Sequence, residues 1–174
     1  MLPTIEVATI ERFTKEYSVR RLEERDTEAI LSLCSNNPLY YQYCPPFVTK
    51  DGILQDMHAL PPNKDISDKY YVGYFKDDLL IAILDLIMAF PDDKTAFIGF
   101  FMTDVSVQNK GMGSKIIKEL CDCLCSTGME SVRLAWVEGN PQAEHFWHKN
   151  GFIETGDKSD IGEYTVVVAQ RDLI

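Results

Sequence analysis

The middle of the chain alternates between long apolar runs and short polar breaks. The runs KYYVGYF (69–75), LLIAILDLIMAF (79–90) and AFIGFFMTDVSV (96–107) are rich in β-branched and aromatic residues, and KDD and PDDKT separate them. Breaks of this kind between such runs are typical of hairpins. The pattern therefore predicts three consecutive antiparallel strands.

The preceding segment predicts one strand and a group of helices. YSVRRLEERD (17–26) has the composition of a short strand that ends in a polar turn. A helix capped by Asp26 or Thr27 follows, and its apolar positions recur at helical spacing at Ala29, Ile30, Leu33 and Cys34. Prolines interrupt residues 37–62, for which we expect a short helix, a loop and a second helix near 50–60.

The second half alternates helices with strands. A helix after Gly113 carries an apolar stripe at Ile116, Ile117, Leu120, Cys121 and Leu124, and Gly128 ends it. We predict strands at 132–137, 151–156 and 163–170 and a short helix at 140–150. The whole pattern predicts a single domain (1–174) of the α/β (α+β) class, in which a mixed sheet of about six to seven strands is flanked by helices.

Composition narrows the class of partner. The chain has 174 residues and a formal net charge of -10, which argues against nucleic acid, since a phosphate-backbone binder needs a basic face. No run approaches the ~20 apolar residues of a membrane span. The first residues mix charges of both signs, unlike a signal peptide. We therefore expect a cytoplasmic protein without a membrane partner, whose charge leans towards cationic acceptors.

The five cysteines predict no metal site. CDCLC places Cys121 and Cys125 on one helical face, but zinc sites usually combine one such pair with a second Cys or His pair, which the sequence lacks. An odd, sparse set of cysteines also differs from a secreted disulfide scaffold. We interpret them as small buried thiols.

Two glycines open the helix that follows the third strand. A glycine inside a helix costs about 1 kcal/mol relative to alanine, so Gly111 and Gly113 call for a reason. A helix N-terminus offers unpaired N–H groups to an anion, and glycines let a phosphate approach the backbone. Lys110, Lys115 and Lys118 lie in the same stretch. The alternatives are a phosphate-bearing ligand and a tight turn that needs positive φ.

Two longer motifs carry a family resemblance. The Walker and dinucleotide patterns both fail here, but QNKGMG (108–113) resembles the Q/R-x-x-G-x-G/A loop of the GNAT N-acetyltransferase superfamily. NPQAEHFWHKNGF (140–152) resembles the later N-x-x-A-x-x-F-Y-x-x-x-G-F segment of the same superfamily. Both lie in the family's order and at its usual separation.

The resemblance implies the GNAT acyl-CoA N-acyltransferase fold, a mostly antiparallel sheet with two splayed parallel strands. Acetyl-CoA lies between those strands in the family, and a bulge in the strand before the loop opens the space. Met102 and Thr103 would then pair with the pantetheine arm. Asn140 would lie near the thioester, with Phe146 and Trp147 beside the pantetheine. The pyrophosphate would bind the loop formed by Gln108, Asn109, Lys110, Gly111, Met112, Gly113 and Ser114.

The implied reaction is direct transfer of an acetyl group from acetyl-CoA to a primary amine of a small molecule or peptide. Many relatives have a tyrosine, thought to protonate the leaving thiolate, where this chain has Trp147. An indole N–H donates a hydrogen bond but is no usable acid. The alternative is therefore a catalytically degenerate acyl-CoA-binding module that acts as a sensor or interaction partner. A generic nucleotide binder is a third hypothesis.

The catalytic base is left open by the sequence. Glu138 and Asp104 both lie near the implied site, although either can instead be a solvated carboxylate or a loop cap. Asp85, inside an apolar run, is either a functional group that faces a pocket or an outward-facing strand residue. His145 and His148 flank Trp147 and are expected on the surface.

The acceptor site is also open. An aromatic cluster, Tyr40, Tyr41, Tyr43 and Phe47, lies where the family usually shapes this site. Packing of a short helix explains the cluster equally well. Edge strands of such sheets often pair in dimers, so a homodimer is one expected assembly.

Overall fold

A computed structural model describes residues 10–174. Its strands are β1 (Ser18–Arg21), β2 (Lys69–Lys76), β3 (Leu79–Ile87), β4 (Thr95–Thr103), β5 (Ser131–Val137), β6 (Ile153–Asp160) and β7 (Thr165–Asp172). Its helices are α1 (Thr27–Ser35), α2 (Pro38–Tyr43), α3 (Lys50–His58), α4 (Met112–Ser126) and α5 (Pro141–Lys149).

The seven strands form one sheet in the order β1-β2-β3-β4-β5-β7-β6. The β4–β5 pair is parallel, and the other neighbouring pairs are antiparallel. The predicted fold class is therefore confirmed, as are the three consecutive antiparallel strands β2, β3 and β4. A two-residue turn joins β2 to β3, with positive φ at Asp77 and Asp78, as tight hairpin turns require.

Helices cover both faces of the sheet. The first core lies under α4 and α5 and includes Ile98, Leu120, Leu134 and Phe152. The second core lies under α1 and α3 and includes Ile30, Ile53, Tyr71, Ile83 and Met102. The predicted apolar stripe of α4 is buried in the first core, and Gly128 follows the helix with φ +95.

Two predicted strands have different bounds in the structure. The sequence pattern extends the third strand to residue 107, but β4 ends at Thr103, and Val105–Val107 is a 3-10 helix. Asp104 causes the change, since its carboxylate accepts hydrogen bonds from the N–H and Oγ of Ser106 and caps that turn. The strand predicted at 151–156 runs from Ile153 to Asp160, and all eight of its residues are exposed. A solvated edge strand lacks the apolar alternation that marks strands in a sequence.

Candidate functional site

The two parallel strands separate partway along their length. β4 pairs with β5 over Thr95–Ile98 and Ser131–Leu134. Beyond that point β4 continues to Thr103 along β3, and β5 continues to Val137 along β7. The backbone edges at 99–103 and 135–137 therefore face a gap between the strands, which we call the splay.

A bulge in β4 lies where the splay begins. Asp85 of β3 is opposite Phe100, whereas Leu86 is opposite Ile98, so Gly99 is the extra residue. The bulge places Phe100 against the second core, as Met102 is, while Ile98 and Phe101 contact the first core. A bulge bends its strand and disrupts the ladder, which explains why β4 leaves β5 after Ile98.

The loop after β4 turns sharply into α4. Asn109 and Gly111 have positive φ, of 59° and 78°, and Gly111 is the N-cap residue of α4. A Cβ added to Gly111 would meet no atom within 4 Å. The N–H groups of the first helical turn have no intrahelical acceptor, as in any α-helix. The loop thus presents backbone donors next to open space.

A network of side-chain hydrogen bonds connects this loop to the ends of α1 and β4. Gln108 donates hydrogen bonds to Thr103 O (2.9 Å) and to Asn37 Oδ1 (2.7 Å). Asn37 also donates to Leu33 O (3.0 Å) and Thr103 O (3.2 Å), which ties the end of α1 to the end of β4. Asn37 was not identified from the sequence. Its position before Pro38 marks a helix start, a local signal that says nothing of this distant contact.

Helix α5 packs against the start of α4. A Cβ added to Gly113 would lie 3.2 Å from Phe146 Cε2, so this glycine allows a close contact between the two helices. Buried Asn150 donates hydrogen bonds to Ser114 Oγ (3.2 Å) and Phe146 O (2.8 Å). The structure therefore brings the two sequence motifs together at the end of the splay.

Asn140, Phe146 and Trp147 have different degrees of exposure. Asn140 is buried and caps α5, with its Oδ1 accepting from the N–H of Ala143 (3.2 Å). Phe146 is half-buried and stacks on Phe101. Trp147 is 8% exposed and packs in the first core against Phe101, Phe146 and Phe152.

The three lysines near the loop differ in whether an acidic side chain already pairs with them. Lys115 is paired with Glu16, and Lys118 with Asp122 at 2.7 Å. Lys110 is exposed and has no ion-pair partner among residues 10–174. Of the three, Lys110 carries the positive charge that is free to meet an anion at the loop.

The two acids proposed from the sequence both have local partners. Glu138 is exposed at the end of β5 and pairs with Lys158. Asp104 is the cap described above. Exposed pairs of this kind contribute little to stability, about 0–1 kcal/mol, and neither contact tests a role in proton transfer. His145 is exposed, and so is His148, whose Nε2 lies 2.8 Å from Glu154 Oε2.

Asp85 points inward. Its Oδ2 accepts a hydrogen bond from Lys69 Nζ at 3.0 Å, and its side chain is 14% exposed. Lys69 also donates to Ala59 O (2.7 Å). Asp85 Oδ1 is buried and has no hydrogen-bond partner in the part of the chain that the structure describes. The structure thus decides against an outward-facing Asp85.

The aromatic cluster reaches the bulge from the second-core side. Tyr40 packs edge-on against Phe100, with ring centroids 5.6 Å apart, and against Tyr41 at 4.9 Å. Cys44, just after α2, donates a hydrogen bond to the hydroxyl of Tyr164 (3.3 Å), which lies just before β7. The residue after α2 and the residue before β7 therefore meet, next to the aromatic cluster on the second-core face.

No disulfide forms among the five cysteines. Cys34, Cys121 and Cys123 are buried as predicted, but Cys44 is only half-buried and the prediction is wrong for Cys125, which is exposed near the C-terminal end of α4. Burial raises the pKa of Cys121 to about 11, so the thiol is a poor metal ligand at neutral pH. The side chains of Glu144, His148 and Glu154 do lie close together, but all three are exposed.

Within residues 10–174, the helices are too short or too polar to cross a bilayer. The cytoplasmic location stays a prediction.

Comparisons with known proteins agree with this geometry. A model of the acetyltransferase (GNAT) family matches residues 17–152. A search of curated protein sequences gives no match. An acetyltransferase from Thermus thermophilus has a similar structure, with a TM-score of 0.71 at 14% identity over 91% of this chain and 97% of that chain.

Two other solved structures are also similar. The PaiA N-acetyltransferase of Thermoplasma acidophilum, in complex with coenzyme A, has a TM-score of 0.65 at 18% identity, over 91% of this chain and 99% of that one. A spermidine N-acetyltransferase SpeG chimera from Vibrio cholerae and hSSAT has a TM-score of 0.66 at 21% identity, over 91% and 96%. At these identities the likeness concerns the fold.

Proposed function

The chain belongs to the acetyltransferase (GNAT) family, and from that premise we propose that it transfers an acetyl group from acetyl-CoA directly to a primary amine of a small molecule or peptide. The observation that carries this proposal is the splay, which ends at the glycine-opened start of α4. A gap between two parallel strands can hold an extended arm, and the helix start can hold the phosphates at its end.

The loop supplies what a pyrophosphate needs. Backbone N–H groups at Met112, Gly113 and Ser114 lie in the first turn of α4, where the helix dipole favours an anion. Gly111 leaves the approach open, and the exposed Lys110 adds a positive charge. Gln108 and Asn109 complete the proposed phosphate site, with Gln108 supporting the loop through Thr103 rather than reaching outward.

The unpaired edge of β4 suits the pantetheine arm. We place the amide groups of the arm along Met102 and Thr103. Asn140, Phe146 and Trp147 line the opposite side in this proposal. Phe146 is the most exposed of these three and lies closest to Gly113. Its contact with the glycine would bring the arm and the phosphate site into one continuous groove.

The reaction needs a neutral amine, a polarised carbonyl and a departing thiolate. The amine nitrogen attacks the thioester carbon, a C–N bond forms, and the C–S bond breaks. One ammonium proton ends on the coenzyme A thiol and the other in solvent. An N–H group from the bulged part of β4 can polarise the carbonyl in the way an oxyanion hole does. Glu138 and Asp104 stay predictions as proton acceptors.

The acceptor amine would enter from the second-core face. Tyr40, Tyr41, Cys44 and Tyr164 surround that entrance. The net charge of -10 favours encounter with cationic amines, and spermidine, named for one structural relative, is a cation of this kind. A homodimer through the exposed edge strand β6 is a further proposal, which light scattering can test.

A thermal-shift titration with acetyl-CoA, coenzyme A, ATP and NAD tests the cofactor first. A ligand that binds only the folded state adds about 2.7 kcal/mol at 100 times its dissociation constant. We expect stabilisation by the two coenzyme A forms alone, followed by thiol release from acetyl-CoA in the presence of a primary-amine panel. Equal protection by ATP or NAD would favour a generic nucleotide binder. Binding without thiol release for any amine would favour the degenerate module.

Trp147→Phe tests whether the indole of Trp147 takes part in catalysis. We expect thiol release to stay within about threefold of wild type, because an indole cannot transfer a proton. We expect a loss of about 1–2 kcal/mol in the free energy of unfolding, because a smaller ring leaves space in the first core. The measurement is steady-state thiol release together with urea unfolding. A fall of more than thirtyfold in turnover, with the fold intact, would show that the indole acts in catalysis.

A further inference from the structure

Asp85 lies beside the point where the splay begins. It is the β3 partner of Phe100, and a Cβ added to the bulge residue Gly99 would lie 3.3 Å from Asp85 Oδ2. Its cross-strand neighbour on β2, Tyr71, belongs to the second core. Directly opposite residues share a face of the sheet, so the carboxylate is on the face from which the acceptor would enter.

The position matches the reach of the proposed cofactor. Along a strand each residue advances about 3.3 Å, so the β4 backbone from Thr103 to Gly99 is about 13 Å long. An arm of about this length that starts at the α4 loop and follows this edge would end near Gly99. The thioester would then lie close to the Asp85 carboxylate, across the thickness of one strand.

Only one of the two carboxylate oxygens of Asp85 accepts a hydrogen bond from the described residues. Lys69 Nζ contacts Oδ2 only, and Oδ1 has no partner within the described residues. Buried polar atoms in folded proteins are nearly always paired, so an orphan carboxylate oxygen requires an explanation. A ligand N–H, or a water held by one, would be a fitting donor.

The electrostatic surroundings suit a base. Lys69 on β2 and Asp56 on α3 act on the pKa of Asp85. Tyr71 on β2 and Cys34 on α1 are further titratable groups that face the same region. Burial is the largest cause and raises the pKa of Asp85; Lys69 lowers it, and Asp56 raises it further. A carboxyl group with a raised pKa is a better proton acceptor than an ordinary one.

Resting on the proposed function, we propose that Asp85 binds the acceptor as its ammonium ion and accepts the proton that must leave before attack, directly or through one water. The ammonium N–H bond breaks and the carboxyl O–H bond forms, which leaves a neutral amine to attack the thioester. Asp85 then passes its proton to solvent and returns to the carboxylate. Lys69 is a positioning residue that holds the other oxygen.

Asp85→Asn tests this role with a nearly isosteric amide, whose oxygen can still accept from Lys69. Asp122→Asn is the matched control, because Asp122 also pairs with a lysine, Lys118, but on the exposed side of α4. The acceptors are spermidine, putrescine and benzylamine, and the readouts are thiol release and acetyl-CoA affinity. We expect D85N to lower kcat/KM at least 100-fold, a typical effect of losing a general base, while acetyl-CoA affinity stays within about twofold. D122N should change neither quantity.

The pH profile separates a base from a structural acid. In wild type, kcat/KM should fall tenfold per pH unit below the pKa of Asp85, and this limb should be missing in D85N. If D85N melts below the assay temperature, the double variant Lys69→Met/Asp85→Asn is used in the same assays. D85N alone leaves the buried charge of Lys69 unpaired, whereas the double variant removes both charges.

An NMR titration of the aspartate carboxyl carbons gives a readout that does not depend on turnover. The Asp85 signal, assigned by its loss in D85N, should titrate above the ordinary aspartate range and shift when spermidine is added with coenzyme A. A normal titration without a shift, or wild-type kcat/KM with an unchanged acidic limb in D85N, would overturn the role of Asp85. Failure of coenzyme A to bind at all would instead overturn the proposed function.

Discussion

Gly111→Ala is expected to weaken coenzyme A binding at least tenfold. Gly111 has φ +78 and its added Cβ would meet no protein atom within 4 Å. The methyl group would therefore project into the open space in front of the first turn of α4, where we place the pyrophosphate. A backbone in the left-handed region also costs a non-glycine residue roughly 1–2 kcal/mol. The measurement is calorimetric titration of coenzyme A, combined with urea unfolding.

Gly128→Ala is the matched control for this variant. Gly128 lies beyond the other end of the same helix, with φ +95 and no atom within 4 Å of an added Cβ. Both variants should lose a similar free energy of unfolding, because the backbone strain is of the same kind. Only Gly111→Ala should lose coenzyme A affinity. Equal affinity of the two variants for coenzyme A would contradict the assignment of the pyrophosphate site to this loop.

Lys69→Met is expected to lower the free energy of unfolding by about 3–5 kcal/mol at pH 8, the usual cost of breaking a buried ion pair. Lys69 is 2% exposed and its Nζ donates to both Asp85 Oδ2 and Ala59 O. Without the lysine, the Asp85 carboxylate stays buried with no counter-charge. Lys118→Met, which removes an exposed pair with Asp122, should cost no more than about 1 kcal/mol.

The loss in Lys69→Met should depend on pH in a defined direction. The pKa of Asp85 is already raised in the folded protein by burial, and Lys69 lowers it, so removing Lys69 raises it further. A raised folded pKa destabilises as pH rises from the unfolded value through the folded value. The loss should therefore be smaller at pH 5 than at pH 8, as measured by urea unfolding. An equal loss at both pH values would mean that the lost bond to Ala59, and not the charge of Asp85, sets the cost.

Much of the fold follows from local patterns. The stripe from Ile116 to Leu124 buries one face of α4, and the two aspartates of KDD form the β2–β3 turn. Both are short-range features, decided by residues within about one or two turns of each other. The two motifs, 108–113 and 140–152, are likewise recognised from the order of residue types along the chain. Their contact through Gly113, Phe146 and Asn150 is not visible in the sequence.

The sequence by itself determined the class of the sheet, the presence of a helix with a buried apolar stripe next to the two glycines, and the family to which the motifs belong. Only the tertiary structure decided where β4 leaves β5, which way Asp85 faces, and that Asn37 contacts Thr103 and Tyr164 contacts Cys44. The physical reason is that a strand can be assigned to its two faces from the sequence only when polar and apolar side chains alternate along it. When both faces of β3 are buried, every position is apolar by default, so alternation cannot assign Asp85 to a face. That assignment depends on the register with β4 and on Lys69, sixteen residues earlier in the chain.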